Sequence, residues 1–95
     1  MVKAIWNGVE IAKSDDTVIV ENNHYFPVCD VNSAYLKDSS LHTTCPWKGV
    51  ASYYSLIVDG KCNEDAAWYY PKPKKGAEVV TDRIAFWKGV EIIVE

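Results

Sequence analysis

The chain has 95 residues and a formal net charge of −3. That length fits one domain, residues 1–95, and the acidic balance argues against a protein that binds nucleic-acid phosphates through a basic face. No apolar run is long enough to span a membrane, the first residues do not resemble a signal peptide, and the three cysteines predict no disulfide framework. A reduced, cytoplasmic protein is therefore the simplest expectation.

The first part of the chain has the pattern of short β-hairpins. Asn7-Gly8 separates two runs of strand-forming residues, and both residues tolerate the positive φ angles of a type I′ turn. Asn22-Asn23 is predicted to make a second reversal. The strands predicted in this part are Val2–Trp6, Val9–Lys13, Thr17–Glu21 and His24–Val28.

Helical patterns interrupt the strands in two places. Asp30 is predicted to cap a short helix over Val31–Lys37, since Val31, Ala34 and Tyr35 would share one face. Ala77–Arg83 is a second helical candidate. The strands predicted in the second half are Gly49–Val58, Ala66–Tyr70, Ile84–Trp87 and Val90–Val94.

The predicted elements indicate a mainly β fold, a small curved antiparallel sheet or open barrel with one short helix. An α+β fold with a second helix near residue 80 is the alternative. The runs Trp6–Ile11 and Trp87–Ile92 resemble each other, which both a duplication and shared hairpin chemistry would explain. The similarity suggests that the terminal hairpins occupy similar environments, as in one sheet.

Residues 42–54 concentrate more chemistry than any other stretch of the chain. Cys45 and Lys48 flank a Pro-Trp turn, and His42 stands three residues before the thiol. A nearby lysine favours a thiolate and a histidine can act as a base, so Cys45 is a candidate nucleophile; the favoured interpretation is a small packing residue beside a turn. Lys48 is the stronger candidate, because it can pair with an acidic ligand or with Glu21.

Strand alternation divides the aromatic residues between two faces. Tyr54 should share a face with Leu56, and Tyr53 should lie on the opposite one. Trp68 and Tyr70 should lie together. A structural zinc site is not predicted, because only His42-x-x-Cys45 and His24-x₄-Cys29 approach the usual ligand spacing, and no metal or cofactor is expected.

A family resemblance runs through nearly the whole chain. The residues that carry it are Asn7-Gly8 with Ile11-Ala12-Lys13-Ser14, Glu21 with Tyr25-Phe26-Pro27 and Asp30-Val31, the block from Thr44 to Tyr54, and Ala67-Trp68-Tyr69-Tyr70-Pro71 with Ile84-Ala85-Phe86-Trp87. Through them the chain resembles the DUF427 family of small bacterial proteins, whose function is unknown. The resemblance implies a compact domain of the Mss4-like, or β-tent, kind.

The family has been labelled nucleotidyltransferase-like, but the residues do not favour that chemistry. Nucleotidyl transfer normally needs paired carboxylates that hold Mg²⁺ against a triphosphate. The adjacent pairs Asp15-Asp16 and Glu64-Asp65 fall in predicted turns, and neighbours on a strand would point to opposite faces. A phosphate-cradling glycine loop of the GxxxxGK[ST] type is also absent from the sequence.

The preferred hypothesis is a ligand-binding or interaction domain whose partner is a small molecule or a protein. Its predicted pocket is formed by Tyr25, Trp47, Lys48, Tyr54, Trp68 and Tyr70. The alternative is a small enzyme, nucleotidyltransferase-like or dependent on a cysteine and a lysine, for which the candidate residues are Cys45, Lys48, His42 and Glu21. A structural module that forms homo-oligomers is the third possibility; neither a nucleic acid nor a membrane is expected as a partner.

Overall fold

Nine strands form two antiparallel β-sheets in the computed structural model, which describes residues 1–95. The strands are β1 (Val2–Trp6), β2 (Val9–Ser14), β3 (Val18–Val20), β4 (Asn23–Pro27), β5 (Leu36–Cys45), β6 (Gly49–Val58), β7 (Lys61–Tyr69), β8 (Arg83–Phe86) and β9 (Glu91–Val94). The prediction of a mainly β fold is confirmed. The sheets do not close into a barrel, and the more specific β-tent assignment stays a prediction.

The smaller sheet joins the two ends of the chain. Its order is β2-β1-β9, so the first and last strands of the chain are neighbours. Asn7 and Gly8 adopt positive φ angles of 51° and 75°, as the predicted turn between β1 and β2 requires. The expectation that the two terminal hairpins share one sheet is confirmed only for β1, β2 and β9. β8 belongs to the larger sheet and does not pair with β9, so the predicted second hairpin is wrong.

The larger sheet has the order β3-β4-β8-β7-β6-β5 and carries the long strands. β6 has the predicted bounds, and the turn at Asp59-Gly60 connects it to β7. The reversal before β4 lies one residue earlier than predicted: Glu21 and Asn22 adopt the positive φ angles, and Asn23 already pairs with Val20. Glu21 is thus a turn residue and not the end of a strand.

The predicted helix over Val31–Lys37 is wrong. The segment holds two 3₁₀ turns, Val28–Asp30 and Ser33–Tyr35, and the cap of the second is Asn32, whose side chain accepts a hydrogen bond from the Ala34 amide at 3.1 Å. No helix forms because Leu36 starts the ten-residue strand β5, whose backbone hydrogen bonds pair it with β6. The sequence pattern does not predict this strand.

The second predicted helix is also wrong in length. Ala77–Arg83 contains only the 3₁₀ turn Glu78–Val80. Arg83 instead opens β8, where it pairs with Pro27 of β4. No helix of this structure is both long and apolar enough to cross a membrane.

Hydrophobic clusters cover both faces of the larger sheet. On one face Phe26, Leu56 and Ile84 pack with residues of the smaller sheet into a cluster that includes Val2 and Ile11. The other face carries a second, aromatic cluster, whose buried members are Tyr25, Ala51, Tyr53, Tyr70, Val80 and Ala85. Adjacent residues such as Tyr25 and Phe26 enter different clusters, because successive side chains of a strand point to opposite faces.

Candidate functional site

Lys48 is the only charged residue buried in the protein, and it lies at the edge of the aromatic cluster. Its turn connects β5 with β6, and the loop that follows β7 holds the turn in place. The Lys74 amide donates to the Lys48 carbonyl at 3.0 Å, and the Lys74 ammonium donates to the Pro46 carbonyl at 2.9 Å. Gly49 leaves the turn with a φ of 113°, and a Cβ there would come within 3.3 Å of the Lys72 carbonyl. Glycine is therefore strongly favoured at this close approach.

The Lys48 ammonium makes a salt bridge with Glu21 and faces two aromatic rings. Its Nζ lies 5.3 Å from the centre of the Trp47 ring and 5.5 Å from that of Tyr70, within the range of cation–π attraction. Only 7% of the Lys48 side chain is exposed, whereas Glu21 remains 55% exposed. The turn between β3 and β4 supplies the carboxylate, and the turn between β5 and β6 supplies the ammonium.

These contacts keep both members of the pair ionised. Burial is the largest single effect and disfavours the ammonium, but the hydrogen bond to Glu21 and the Coulombic interactions with Tyr25, Tyr70 and Cys45 together outweigh it, so the pKa of Lys48 is raised above its ordinary value. The same hydrogen bond holds the pKa of the Glu21 carboxyl below its ordinary value. Burial raises the pKa of Tyr70 to about 12, although the nearby ammonium opposes that rise, so its hydroxyl stays protonated at neutral pH.

A cavity of about 190 Å³ opens beside this ammonium and has mainly aromatic walls. Its lining residues are Lys48, Tyr53, Trp68, Tyr70 and Trp87. Tyr25 packs against Trp68 and fixes its orientation. The two rings meet edge to face with their centres 6.2 Å apart, and the indole N–H donates to the buried Tyr25 hydroxyl at 3.1 Å. The Trp87 ring meets Trp68 at 6.1 Å, again edge to face. The walls are thus interlocked rings of defined orientation.

The structure brings together most of the residues predicted for the pocket. Trp47, Lys48, Trp68 and Tyr70 line the cavity or contact the ammonium, and Tyr25 supports Trp68. Tyr53 and Trp87 also line the cavity, although the sequence pattern did not place them there. Strand alternation places Tyr53 and Tyr54 on opposite faces but does not show which face holds the site. For Trp87, no local sequence signal indicates that it lies near residues 47–70.

Tyr54 lies on the opposite face of the sheet. It packs against the cluster between the two sheets and stacks on Tyr69 with the ring centres 4.7 Å apart. Burial, followed by the hydrogen bond to Tyr69, raises the pKa of Tyr54 to about 12. The contacts of Tyr54 are with the core, so the structure does not bring it to the Lys48 cavity.

The predicted catalytic residues do not form a nucleophile–base pair. Cys45 ends β5 and packs against the aromatic cluster, whereas His42 is exposed and lies 3.3 Å from the Ser52 hydroxyl through its Nδ1 atom. Residues three positions apart on a strand point to opposite faces, so the imidazole is directed away from the thiol. No three His, Cys, Asp or Glu side chains are grouped in a way that would hold a metal ion.

The comparisons with known proteins identify a family without assigning an activity. No curated protein matches the chain. A family model described as a domain of unknown function (DUF427) matches residues 1–95, the whole of the sequence. The match agrees with the resemblance carried by the residues around the Cys-Pro-Trp-Lys-Gly turn. The chain belongs to the DUF427 family.

Proposed function

We propose that this protein is a binding domain for a small, single-ring ligand that places an oxygen acceptor against Lys48. The observation that supports the proposal is a buried ammonium in the wall of an otherwise aromatic cavity. Cavities of this kind, mostly apolar with one or two polar groups, are typical of ligand sites. The flat walls select a ring, and the charge orients it.

The size and the donors of the cavity define the ligand further. A volume of about 190 Å³ lies below the roughly 300–1,000 Å³ of sites for drug-sized molecules, so the cavity suits a ligand as small as a single ring. An ammonium has three N–H donors, of which Glu21 takes one. Glu21 is the one hydrogen-bond acceptor of this ammonium, and the other contacts are with the ring faces of Trp47 and Tyr70, so a ligand oxygen can accept from one of the remaining N–H groups.

Binding explains the site better than catalysis does. A catalytic lysine needs a lowered pKa to act as a base or nucleophile at neutral pH, whereas the pKa of Lys48 is raised. Glu21 has a lowered pKa, so it is not a proton donor at that pH. Cys45 has no imidazole beside it. Nucleotidyl transfer is disfavoured because its carboxylate set is not assembled.

The proposal is tested by titrating phenol, benzoate and toluene into ¹⁵N-labelled protein and following amide chemical shifts. We expect phenol and benzoate to shift the resonances of Tyr53, Trp68 and Trp87, and toluene, which has no acceptor, to bind at least about tenfold more weakly. A hydrogen bond to a charged donor contributes about 1.5–3 kcal/mol, and 1.4 kcal/mol is a tenfold change in affinity. The ranking of phenol against benzoate distinguishes a neutral from a charged oxygen.

Two variants and one control make the test specific. Lys48→Met removes the donor at similar size, and Trp87→Ala removes a wall that is half exposed; both should weaken the oxygen-bearing probes. Lys61→Met changes an exposed lysine of β7 and should leave binding unchanged. Probe shifts that map elsewhere, or affinities that both cavity variants leave intact, would refute the proposal.

A further inference from the structure

Two half-exposed indoles stand beside the Lys48 cavity. Trp47 is 44% exposed and its ring faces the Lys48 ammonium, and Trp87 is 46% exposed and forms part of the cavity wall. Trp47 belongs to the turn between β5 and β6, whereas Trp87 precedes the turn that leads to β9. Exposed aromatic residues around a pocket are typical of surfaces that bind a partner larger than the pocket.

A fixed lysine accompanies each of these indoles. The Lys74 ammonium is held on the carbonyl of Pro46, directly before Trp47, at 2.9 Å. The Lys88 ammonium is held on the Glu64 carbonyl at 3.0 Å and lies 5.1 Å from the centre of the Trp87 ring. Neither ammonium has a carboxylate within salt-bridge distance, unlike Lys48. Both charges are therefore positioned but not neutralised.

We propose that the natural occupant of the cavity is the side chain of a tyrosine within an acidic, extended peptide segment of a partner protein. This inference rests on the proposed function, because it uses the same cavity. A tyrosine supplies the single ring and an oxygen that accepts from Lys48. Acidic residues on either side of the tyrosine pair with Lys74 and Lys88, and the peptide backbone passes over the two indoles.

The placement of the lysines favours a peptide over a compact anion. Lys74 and Lys88 belong to separate segments: Lys74 is bound to the carbonyl that precedes Trp47, and Lys88 lies against the Trp87 ring. An extended ligand with acidic groups on both sides of its ring can pair with both. The whole chain has a net charge of −3, so acidic partners meet general repulsion and are attracted only where cations are concentrated. Overall repulsion together with two local lysines would make binding specific for ligands whose acidic groups reach those lysines.

The inference is tested by calorimetric titration with the peptide acetyl-Gly-Asp-Asp-Tyr-Asp-Asp-Gly-amide at low salt. We compare it with the same peptide carrying Asn at every Asp position, and with versions in which Phe or Ala replaces Tyr. The acidic tyrosine peptide should bind at least about tenfold more tightly than the Asn peptide and should lose that advantage as salt is added. Phe should weaken binding, and Ala should abolish it.

Two double variants distinguish the effect of the lysines beside the cavity from the effect of the net charge of the protein. Lys74→Gln/Lys88→Gln should reduce the preference for the acidic peptide to less than about threefold. Lys13→Gln/Lys61→Gln removes the same number of charges from exposed positions on β2 and β7, and the preference should persist. Equal losses in the two double variants would overturn the inference, since the effect would then be general repulsion.

The remaining outcomes distinguish this inference from the proposed function. If phenol and benzoate bind in the cavity but no peptide does, the inference is wrong and the small-ligand function stands. If uridine monophosphate binds in a manner that depends on Lys74 and Lys88 and the peptide does not, the partner is a ring-bearing phosphate and the inference is again wrong. Peptide binding without phenol binding would support the peptide partner and refute the free small ligand.

Discussion

The hydrogen bond between Trp68 and Tyr25 offers a quantitative test of how the cavity wall is held. Tyr25 is fully buried, so Trp68→Phe leaves its hydroxyl oxygen without the indole donor that lies 3.1 Å away in the native protein. A buried polar group that loses its partner costs about 1–3 kcal/mol. The smaller ring adds a cavity penalty, so the total loss for Trp68→Phe should reach about 2–4 kcal/mol.

The double variant isolates the hydrogen bond from the change in packing. Tyr25→Phe alone removes the acceptor, and since Trp68 is only partly buried, water can reach its N–H; the expected loss is about 1 kcal/mol. Removing both partners leaves no unsatisfied group, so the double variant should be more stable than the sum of the single losses predicts. We expect a coupling energy of about 1–1.5 kcal/mol.

Urea denaturation of the four proteins measures this coupling. With an m-value of about 1 kcal/mol/M, as expected for a small domain, a coupling of about 1 kcal/mol corresponds to a midpoint difference of about 1 M. Tyr35→Phe is the control, because the Tyr35 hydroxyl makes no hydrogen bond comparable to that of Tyr25, and its midpoint should barely move. A coupling energy below about 0.3 kcal/mol would show that the bond does not hold the wall.

Further predictions concern charge and backbone conformation. The Glu21 carboxyl has a pKa below its ordinary value of 4.5, so its contribution to stability is present above that pH and is lost as the pH falls; Glu21→Gln should flatten the loss of stability on acidification. Spectrophotometric titration should show tyrosines that ionise only near pH 12, with Tyr54→Phe and Tyr70→Phe each removing one of them. Gly49→Ala should destabilise the protein by about 1 kcal/mol or more beyond Gly60→Ala in urea denaturation, since both positions have positive φ but only at Gly49 does a Cβ meet a neighbouring carbonyl. Equal losses would contradict the close approach at Gly49.

The elements that follow from the sequence are those with a local signal. Asn7-Gly8 specifies its turn by itself, and the alternation of side chains along β6 is sufficient to place Tyr53 and Tyr54 on opposite faces. β5 has no such signal, because Lys37-Asp38 and the serines that follow are polar and the strand lies at the edge of its sheet. Its pairing with β6 is a tertiary contact, which overrides the weak helical pattern of residues 31–37.

The part of the candidate site that has a local sequence signal is likewise predictable. Lys48 and Trp47 stand together in the sequence, and Trp68 and Tyr70 share a face by alternation, so that much of the pocket follows from local pattern. Trp87 enters the cavity only because β8 lies beside β7 in the larger sheet. Sheet order is decided by the packing of the whole chain, which one sequence does not reveal.

Glu21 combines an unusual backbone conformation with a side chain that forms a salt bridge to Lys48. The residue occupies a φ of 52° in a two-residue turn, where asparagine or glycine would be accommodated with less strain. A glutamate there costs more stability than either of those residues would, and its side chain is the one that forms the salt bridge with the buried Lys48. A carboxylate at this position is the counter-charge that allows the Lys48 ammonium to stay charged inside an aromatic wall.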